Sequence, residues 1–236
     1  MLVGPLYAGN VGAVARVATN FDCADVRVVT PACDVRSPEA YRYGKGPATA
    51  TLDAIRIEES LAAALADCEL AVAFTRRTGA TRRPSVRVGG LAALASGART
   101  AFVFGREDAG LTAAELAACT HVCTFATGKA MPSLNLSHAV AVALAHLFES
   151  ASGAASAGAA DLAPLGEVST LLAHWKRTVA AIGLEEGGRG ERLLEKLRPV
   201  LQRAALTKTE LAAFRAFLSK TEVALGTRVN QRRKAR

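Results

Sequence analysis

The sequence predicts an α/β fold, a mostly parallel sheet with helices on both faces, followed by a small helical extension. Three observations carry that expectation. Over the first 150 residues, short apolar runs alternate with segments whose apolar residues recur at helical spacing, the pattern of strand–helix–strand units. Ser150 to Ala163 then reads SASGAASAGAADLA, the composition of a flexible linker, and beyond it only helical periodicity remains. Finally, three loops of small and polar residues each stand where an apolar run gives way to a helical one, which is where open α/β sheets bind ligands.

Strands are expected at Leu2–Val3, Val26–Val29, Leu70–Phe74, Ala101–Phe104 and Val122–Phe125, with a weaker one at Ala54–Ile57. Each is an apolar run too short to make a helix. Helices are expected near Val11–Phe21, Ser60–Ala66, Thr112–Ala118 and Leu136–Ser150, and Thr112 with Glu115 three residues on forms a capping box. After the linker, Leu165–Ile182 places Leu171, Leu172, Trp175 and Val179 on one stripe. Three glycines between Glu185 and Gly190 end that helix. Two further helices, Glu191–Leu206 and Thr207–Leu225, follow, the second opened by another capping box, Thr207 with Glu210. The chain therefore divides into an α/β domain over 1–150, a linker over 151–164, a helical extension over 165–228 and a basic tail over 229–236.

Half of the residues are hydrophobic but only 5% are aromatic, so the core is built from small aliphatic side chains. No apolar run reaches the ~20 residues of a membrane-spanning helix, and the start lacks the pattern of a secretory signal; a cytoplasmic protein with no membrane partner is expected. Five scattered cysteines do not form a disulfide set. Cys119 and Cys123 lack the second close-spaced pair that a zinc site brings, so they read as small buried hydrophobes and no metal is expected. The net charge of +8 is uneven. Residues 161–236 hold 15 Lys and Arg against 8 Asp and Glu, a net of +7, leaving 14 against 13 in residues 1–160. Such asymmetry points to a polyanion partner for the carboxy-terminal part. A solvated helical surface without a partner is the plainer alternative.

The first of the three loops is Gly9-Asn10-Val11-Gly12, running on to Arg16. It does not have the G-x-G-x-x-G spacing of a dinucleotide fold. Arg16 lies six residues after Asn10 and is expected to project toward the same end of its helix, though an ordinary surface arginine reads equally well. The second, Phe104-Gly105-Arg106-Glu107-Asp108-Ala109-Gly110-Leu111, sets Glu107 between two glycines that permit unusual backbone angles. In the third, Pro132-Ser133-Leu134-Asn135-Leu136-Ser137, polar side chains flank a leucine just before a helix. The neighbouring Ser137-His138 lacks a nucleophile elbow, so a hydrolase is set aside. Between residues 75 and 87 five arginines, Arg76, Arg77, Arg82, Arg83 and Arg87, share one segment with no acidic residue, a composition suited to phosphate contact.

Together these motifs resemble the SpoU (TrmH) class of the SPOUT RNA methyltransferases: N-x5-R from Asn10 to Arg16, F-G-x-E-x-x-G-L from Phe104 to Leu111 and S-L-N-L-S from Ser133 to Ser137. The helical extension is similar to that of TrmJ-type tRNA 2′-O-methyltransferases, most closely over Lys196–Glu210. Relatives usually carry several more residues before the first strand, and Lys129-Ala130-Met131-Pro132 departs from their usual cofactor loop. The resemblance implies a C-terminal trefoil knot in the α/β domain, a homodimer sharing catalytic groups, and S-adenosylmethionine as methyl donor. It implies catalytic roles for Asn10, Arg16, Glu107, Ser133 and Asn135. It sets the cofactor against Thr75, Arg76, Arg77, Gly105, Phe125, Pro132, Ser133 and Leu134. The reaction implied is methyl transfer to a ribose 2′-hydroxyl of tRNA, at nucleotide 32 of the anticodon loop. Arg82, Arg83, Arg198, Arg203, Arg232 and Arg233 are the expected contacts to the RNA backbone. A ribosomal RNA methyltransferase, including one of the antibiotic-resistance type, and a catalytically inactive RNA-binding member of the fold remain as alternatives.

Overall fold

The computed structural model describes residues 1–76, 84–151, 161–184 and 188–234, the stretch 227–234 as backbone alone. Seven strands form one sheet in the order β3-β2-β1-β6-β4-β7-β5, and every pairing is parallel. They are β1 (Leu2–Val3), β2 (Arg27–Val29), β3 (Arg56–Glu58), β4 (Leu70–Phe74), β5 (Ser85–Arg87), β6 (Thr100–Phe104) and β7 (His121–Thr124). Side chains alternate between two cores, as the two-residue period of a strand dictates. Leu2, Val28, Val72, Phe74, Phe104 and Cys123 enter the core under one face, whereas Val3, Val29, Ala71, Ala73, Val103 and Val122 enter the other.

The first face is covered by α1 (Ala8–Asn20), α7 (Leu136–Ala151) and the short α5 (Leu91–Ala95), with α2 (Pro38–Tyr43) and α3 (Ala48–Asp53) packed on α1. The second face carries α4 (Leu61–Leu65) and α6 (Ala113–Ala118). Two close approaches fix this layering. A Cβ at Gly12 would lie 2.0 Å from the Ala40 carbonyl oxygen, so α1 and α2 touch backbone to backbone. Gly4 leaves β1 at φ +58°, a left-handed turn that redirects the chain toward α1.

The expected strands are all present, the weak one as Arg56–Glu58, and the sheet is parallel with helices on both faces. The expectation omitted α2, α3, β5 and α5. These are three to six residues long, too short for a period to show, and tertiary packing holds them in place.

The carboxy-terminal helices are α8 (Leu165–Ala181), α9 (Arg189–Arg203) and α10 (Lys208–Lys234), the last longer than its periodicity indicated. Leu171, Leu172 and Val179 are buried as expected, and Trp175 packs at 5.7 Å on Phe214 of α10. Residues 161–164, placed within the linker by composition, pair with the α9–α10 corner instead. Leu162 bridges Thr207, the Ala163 amide donates to the Leu206 carbonyl at 2.7 Å, and Lys208 pairs with Asp161 at 2.8 Å. The extension also touches the α/β domain: the amides of Leu165 and Gly166 donate to the carbonyls of Cys68 and Ala66 at 2.7 and 3.1 Å. Among the described residues no helix is long and apolar enough to cross a membrane.

Candidate active site

The carboxyl ends of β1, β6, β4 and β7 lie side by side, and all three motif loops meet there. The second and third enclose an open cavity of about 250 Å³, and the first is joined to them through Asn10, bonded to Glu107 and Asn135. The cavity floor is aromatic. Phe74 ends β4, Phe104 ends β6 and Phe125 follows β7, and their rings stack with centroids 4.3 Å (Phe74–Phe104) and 5.2 Å (Phe74–Phe125) apart. Thr75, Arg76, Gly105, Pro132, Ser133 and Leu134 line its sides, as do Thr124 and Thr127. The Thr127 hydroxyl donates to the Pro132 carbonyl at 2.9 Å and closes the loop that carries Ser133.

A relay of hydrogen bonds ties the first loop to the second and the third. The Glu107 carboxylate accepts from the Leu6 amide through Oε2 at 2.9 Å and from Asn10 Nδ2 through Oε1 at 2.8 Å. Asn10 Oδ1 accepts from Asn135 Nδ2 at 3.1 Å. Asn135 Oδ1 accepts in turn from the Ser137 amide and hydroxyl, at 2.9 and 2.8 Å. Each donor fixes the next amide's orientation, because a side-chain amide whose oxygen is taken must present its NH₂ to the following partner. The chain therefore ends on the Glu107 carboxylate, both oxygens of which accept.

The second loop is a closed turn. Arg106 and Gly110 exchange both backbone hydrogen bonds, at 3.2 and 2.9 Å, with Glu107 at the tip and Gly110 at φ +68°. A Cβ on Gly105 would sit 2.3 Å from the Gly110 carbonyl carbon, so only glycine fits. The Arg106 guanidinium makes two bonds to Glu115, at 3.0 and 2.9 Å, while Glu115 completes the capping box with Thr112. Burial raises the Glu115 carboxyl, but the Arg106 and Thr112 hydrogen bonds outweigh it and hold the pKa below the usual range.

Residues 1–145 of the chain match the family model described as the SpoU rRNA methylase family. The chain belongs to the SpoU methylase family. Residues 166–235 match the model of the TrmJ tRNA methyltransferase C-terminal domain, so this SpoU methylase has the TrmJ-type arrangement. It is 28% identical over 248 residues to the tRNA (cytidine/uridine/adenosine-2′-O-)-methyltransferase TrmJ of Pseudomonas aeruginosa, covering 94% of this chain and 92% of the relative. It is 30% identical over 232 residues to the tRNA (cytidine/uridine-2′-O-)-methyltransferase TrmJ of Salmonella typhimurium, covering 94% and 95%. The crystal structure of TrmJ from Z. mobilis ZM4 superposes with a TM-score of 0.81 at 25% identity, covering 94% of this chain and 97% of that one.

Of the residues expected to act in this SpoU methylase, Asn10, Glu107 and Asn135 join the relay, and Ser133 stands on the cavity wall. Arg16 does not join them. Six residues turn a helix by about 240° and advance it ~9 Å, so Arg16 leaves Asn10's face and lies exposed on α1, outside the cavity. The expectation that both side chains project to one end fails for a single copy of the chain. Arg77, Arg82 and Arg83 lie outside the described residues, as do the side chains of Arg232 and Arg233. Arg198 and Arg203 are exposed on α9. No cluster of metal-ligating side chains occurs among the described residues.

Sequence reasoning missed Ser137 as the end of the relay, the Arg106–Glu115 pair and the floor residues Phe74 and Phe104. The last two were legible as the final apolar residues of strands that end in motif loops.

Proposed function

We propose that this SpoU methylase transfers a methyl group from S-adenosylmethionine to a ribose 2′-hydroxyl of tRNA, at nucleotide 32 of the anticodon loop, and acts as a homodimer. The observation that carries this reading is the cavity with its aromatic floor, joined to the Glu107–Asn10–Asn135 relay. The flat Phe74–Phe104–Phe125 stack and the backbone edges of the second and third loops suit a cofactor with both a planar ring and polar ends. In this reading Thr75, Arg76, Gly105, Phe125, Pro132, Ser133 and Leu134 hold S-adenosylmethionine. That cofactor, when bound, supplies a methyl group on positively charged sulfur. The trefoil knot belongs to the same reading; β7, although last in sequence, lies between β4 and β5, consistent with it.

The chain's own contribution is chiefly positioning. Asn10 and Asn135, locked by the relay, orient the ribose beside the cavity. Glu107 anchors both the first loop, through Leu6, and Asn10. A guanidinium cannot serve as a base near neutral pH, so Arg16 clamps a neighbouring phosphate and stabilises negative charge developing on the 2′-oxygen. Because Arg16 stands outside its own cavity, it would act on the cavity of a second copy. The α1–α7 face supports such pairing: Val142 and Phe148 lie exposed on α7, and Phe148 meets Phe21 at 5.8 Å. The arginines of α9 and of the tail would hold the RNA backbone through salt-sensitive, sequence-blind contacts.

The test uses tRNA from cells lacking this gene and labelled S-adenosylmethionine. Methylation should map to the ribose of nucleotide 32; label at another nucleotide, or only in ribosomal RNA, rejects the assignment. Arg16→Ala should abolish transfer with cofactor affinity by calorimetry nearly intact. Mixing it with Glu107→Ala copies should restore part of the activity, since one cavity in the mixed dimer keeps both groups. Equal loss of cofactor binding overturns the role given to Arg16.

A further inference from the structure

The three tyrosines of this chain have different surroundings. The Tyr41 hydroxyl bonds Asp53, an ordinary use of a polar handle. Among the described residues Tyr7 and Tyr43 have no such hydroxyl bond, and they are 59% and 50% exposed. Tyr7 stands at the β1–α1 corner beside Asn10, and Tyr43 at the end of α2 packs on Gly9. Tyr7 is the residue before α1, with extended backbone at φ −119°, and its carbonyl accepts from the Asn10 amide at 3.1 Å. On its other side the Leu6 amide is bound to Glu107. Tyr7 is thus pinned between two bonds of the relay region while its ring faces water. Tyr43 ends α2, and its ring edge lies 3.0 Å from where a Cβ on Gly9 would be. The close approach of Gly12 to Ala40 holds α2 rigidly on α1 and so fixes where Tyr43 stands.

A large ring left half in water on rigid backbone contributes little to folding. Scattered exposed apolar residues are ordinary, but one of these is bonded to Asn10 and the other packs on its neighbour Gly9, at the edge of the candidate active site. Arg42 and Lys45, on either side of Tyr43, are exposed, as is Arg16 further along α1; against these three cations stand exposed Glu39 and the Glu107 carboxylate, which is already bound to the Leu6 amide and Asn10. Rigid exposed aromatics among cations are the means by which proteins hold unpaired nucleic-acid bases, since every base offers a face to stack on.

We propose that Tyr7 and Tyr43 form a stacking subsite for unpaired bases of the RNA, beside Gly9 and Asn10. The inference rests on the RNA methyltransferase reading above and adds to it where the single-stranded segment lies. The subsite serves binding rather than chemistry. It acts on any base, and it depends on the ring face rather than the phenol hydroxyl.

The experiment compares Tyr7→Ala, Tyr43→Ala and the two Tyr→Phe variants with the unaltered protein. Steady-state methylation and equilibrium binding are both measured with tRNA from cells lacking the gene. Each alanine variant should raise KM and Kd for tRNA about tenfold, with little change in kcat, as expected for a lost base–aromatic contact. The phenylalanine variants should stay within about twofold of the unaltered protein, while calorimetric affinity for S-adenosylmethionine and the mass in solution stay unchanged throughout. Unchanged tRNA affinity in both alanine variants overturns the proposal. So does equal damage from phenylalanine, which would assign the role to the hydroxyl, or a change of oligomeric state, which would place the rings between copies of the chain. If the unaltered protein binds tRNA but methylates none of it, the functional reading fails while the binding series still decides the subsite.

Discussion

Replacing Asn10 with aspartate tests the relay most directly. Asn10 Nδ2 donates to Glu107 Oε1 at 2.8 Å. In Asn10→Asp the donor becomes an oxygen, and two carboxylates face each other at that separation. At an effective dielectric constant of 20 their repulsion is about 6 kcal/mol, an upper bound because both sites are partly exposed. A cost of that size is relieved by keeping a proton on one of the two, as in other carboxylate pairs. The folded pair therefore has one pKa raised above the unfolded values of about 4. The sign follows: the folded variant binds the extra proton, so its stability relative to the unaltered protein is kept below about pH 4. It is lost as pH rises through the folded pKa. The gap in Tm should widen steadily from pH 5 to pH 8. Methyl transfer should be weak at pH 8 and recover toward acid pH, because the protonated pair restores one donor to the relay. Asn10→Ala serves as the control, removing the donor without adding charge, with a loss of about 1–3 kcal/mol that does not vary with pH. A Tm gap for Asn10→Asp that is flat with pH, or activity equal to the unaltered protein at pH 8, would refute the relay as drawn.

Three other outcomes are expected. Ser137→Ala removes one of the two donors on the Asn135 oxygen and leaves the Ser137 amide in place, so kcat should fall about tenfold with cofactor affinity unchanged, and Ser137→Thr should recover most of it; equal activity for the alanine variant would remove the Ser137 hydroxyl from the relay. Arg27 is buried and bound to the carboxylates of Asp25 and Asp67 and to the Ala64 carbonyl. Arg27 hydrogen bonding, against the opposing effect of burial, holds Asp67 down to about 2 and Asp25 lower still. Their stabilisation is present above the unfolded pKa near 4 and disappears as pH falls toward 2. Arg27→Met should flatten that acid loss in thermal unfolding. Lastly, Gly12→Ala puts a Cβ 2.0 Å from the Ala40 oxygen, which is backbone and cannot swing aside; α1 and α2 must separate at a cost of about 1–3 kcal/mol, read as a lower denaturation midpoint.

Much of the architecture could be read from local pattern. β4 is a five-residue apolar run between Glu69 and Thr75, β6 carries four apolar residues between Thr100 and Gly105, and the capping boxes at Thr112 and Thr207 mark helix starts that the structure keeps. The omitted elements α2 and α3 stay helical because they rest on α1, a contact between residues distant in sequence. The same holds at the candidate site. Glycines 105 and 110 declared a tight turn, but the bidentate pairing of Arg106 with Glu115 required knowing where α6 begins in space.

The sequence by itself determined the longer strands and helices and the motif residues, because strand and helix periods and turn chemistry are local properties. Only the tertiary structure decided which of those residues meet. Asn10 and Asn135 are 125 positions apart, yet they share a hydrogen bond because β1 and β6 are neighbours and α7 packs on α1. Arg16, six positions from Asn10, is carried to another face by the turn of a single helix.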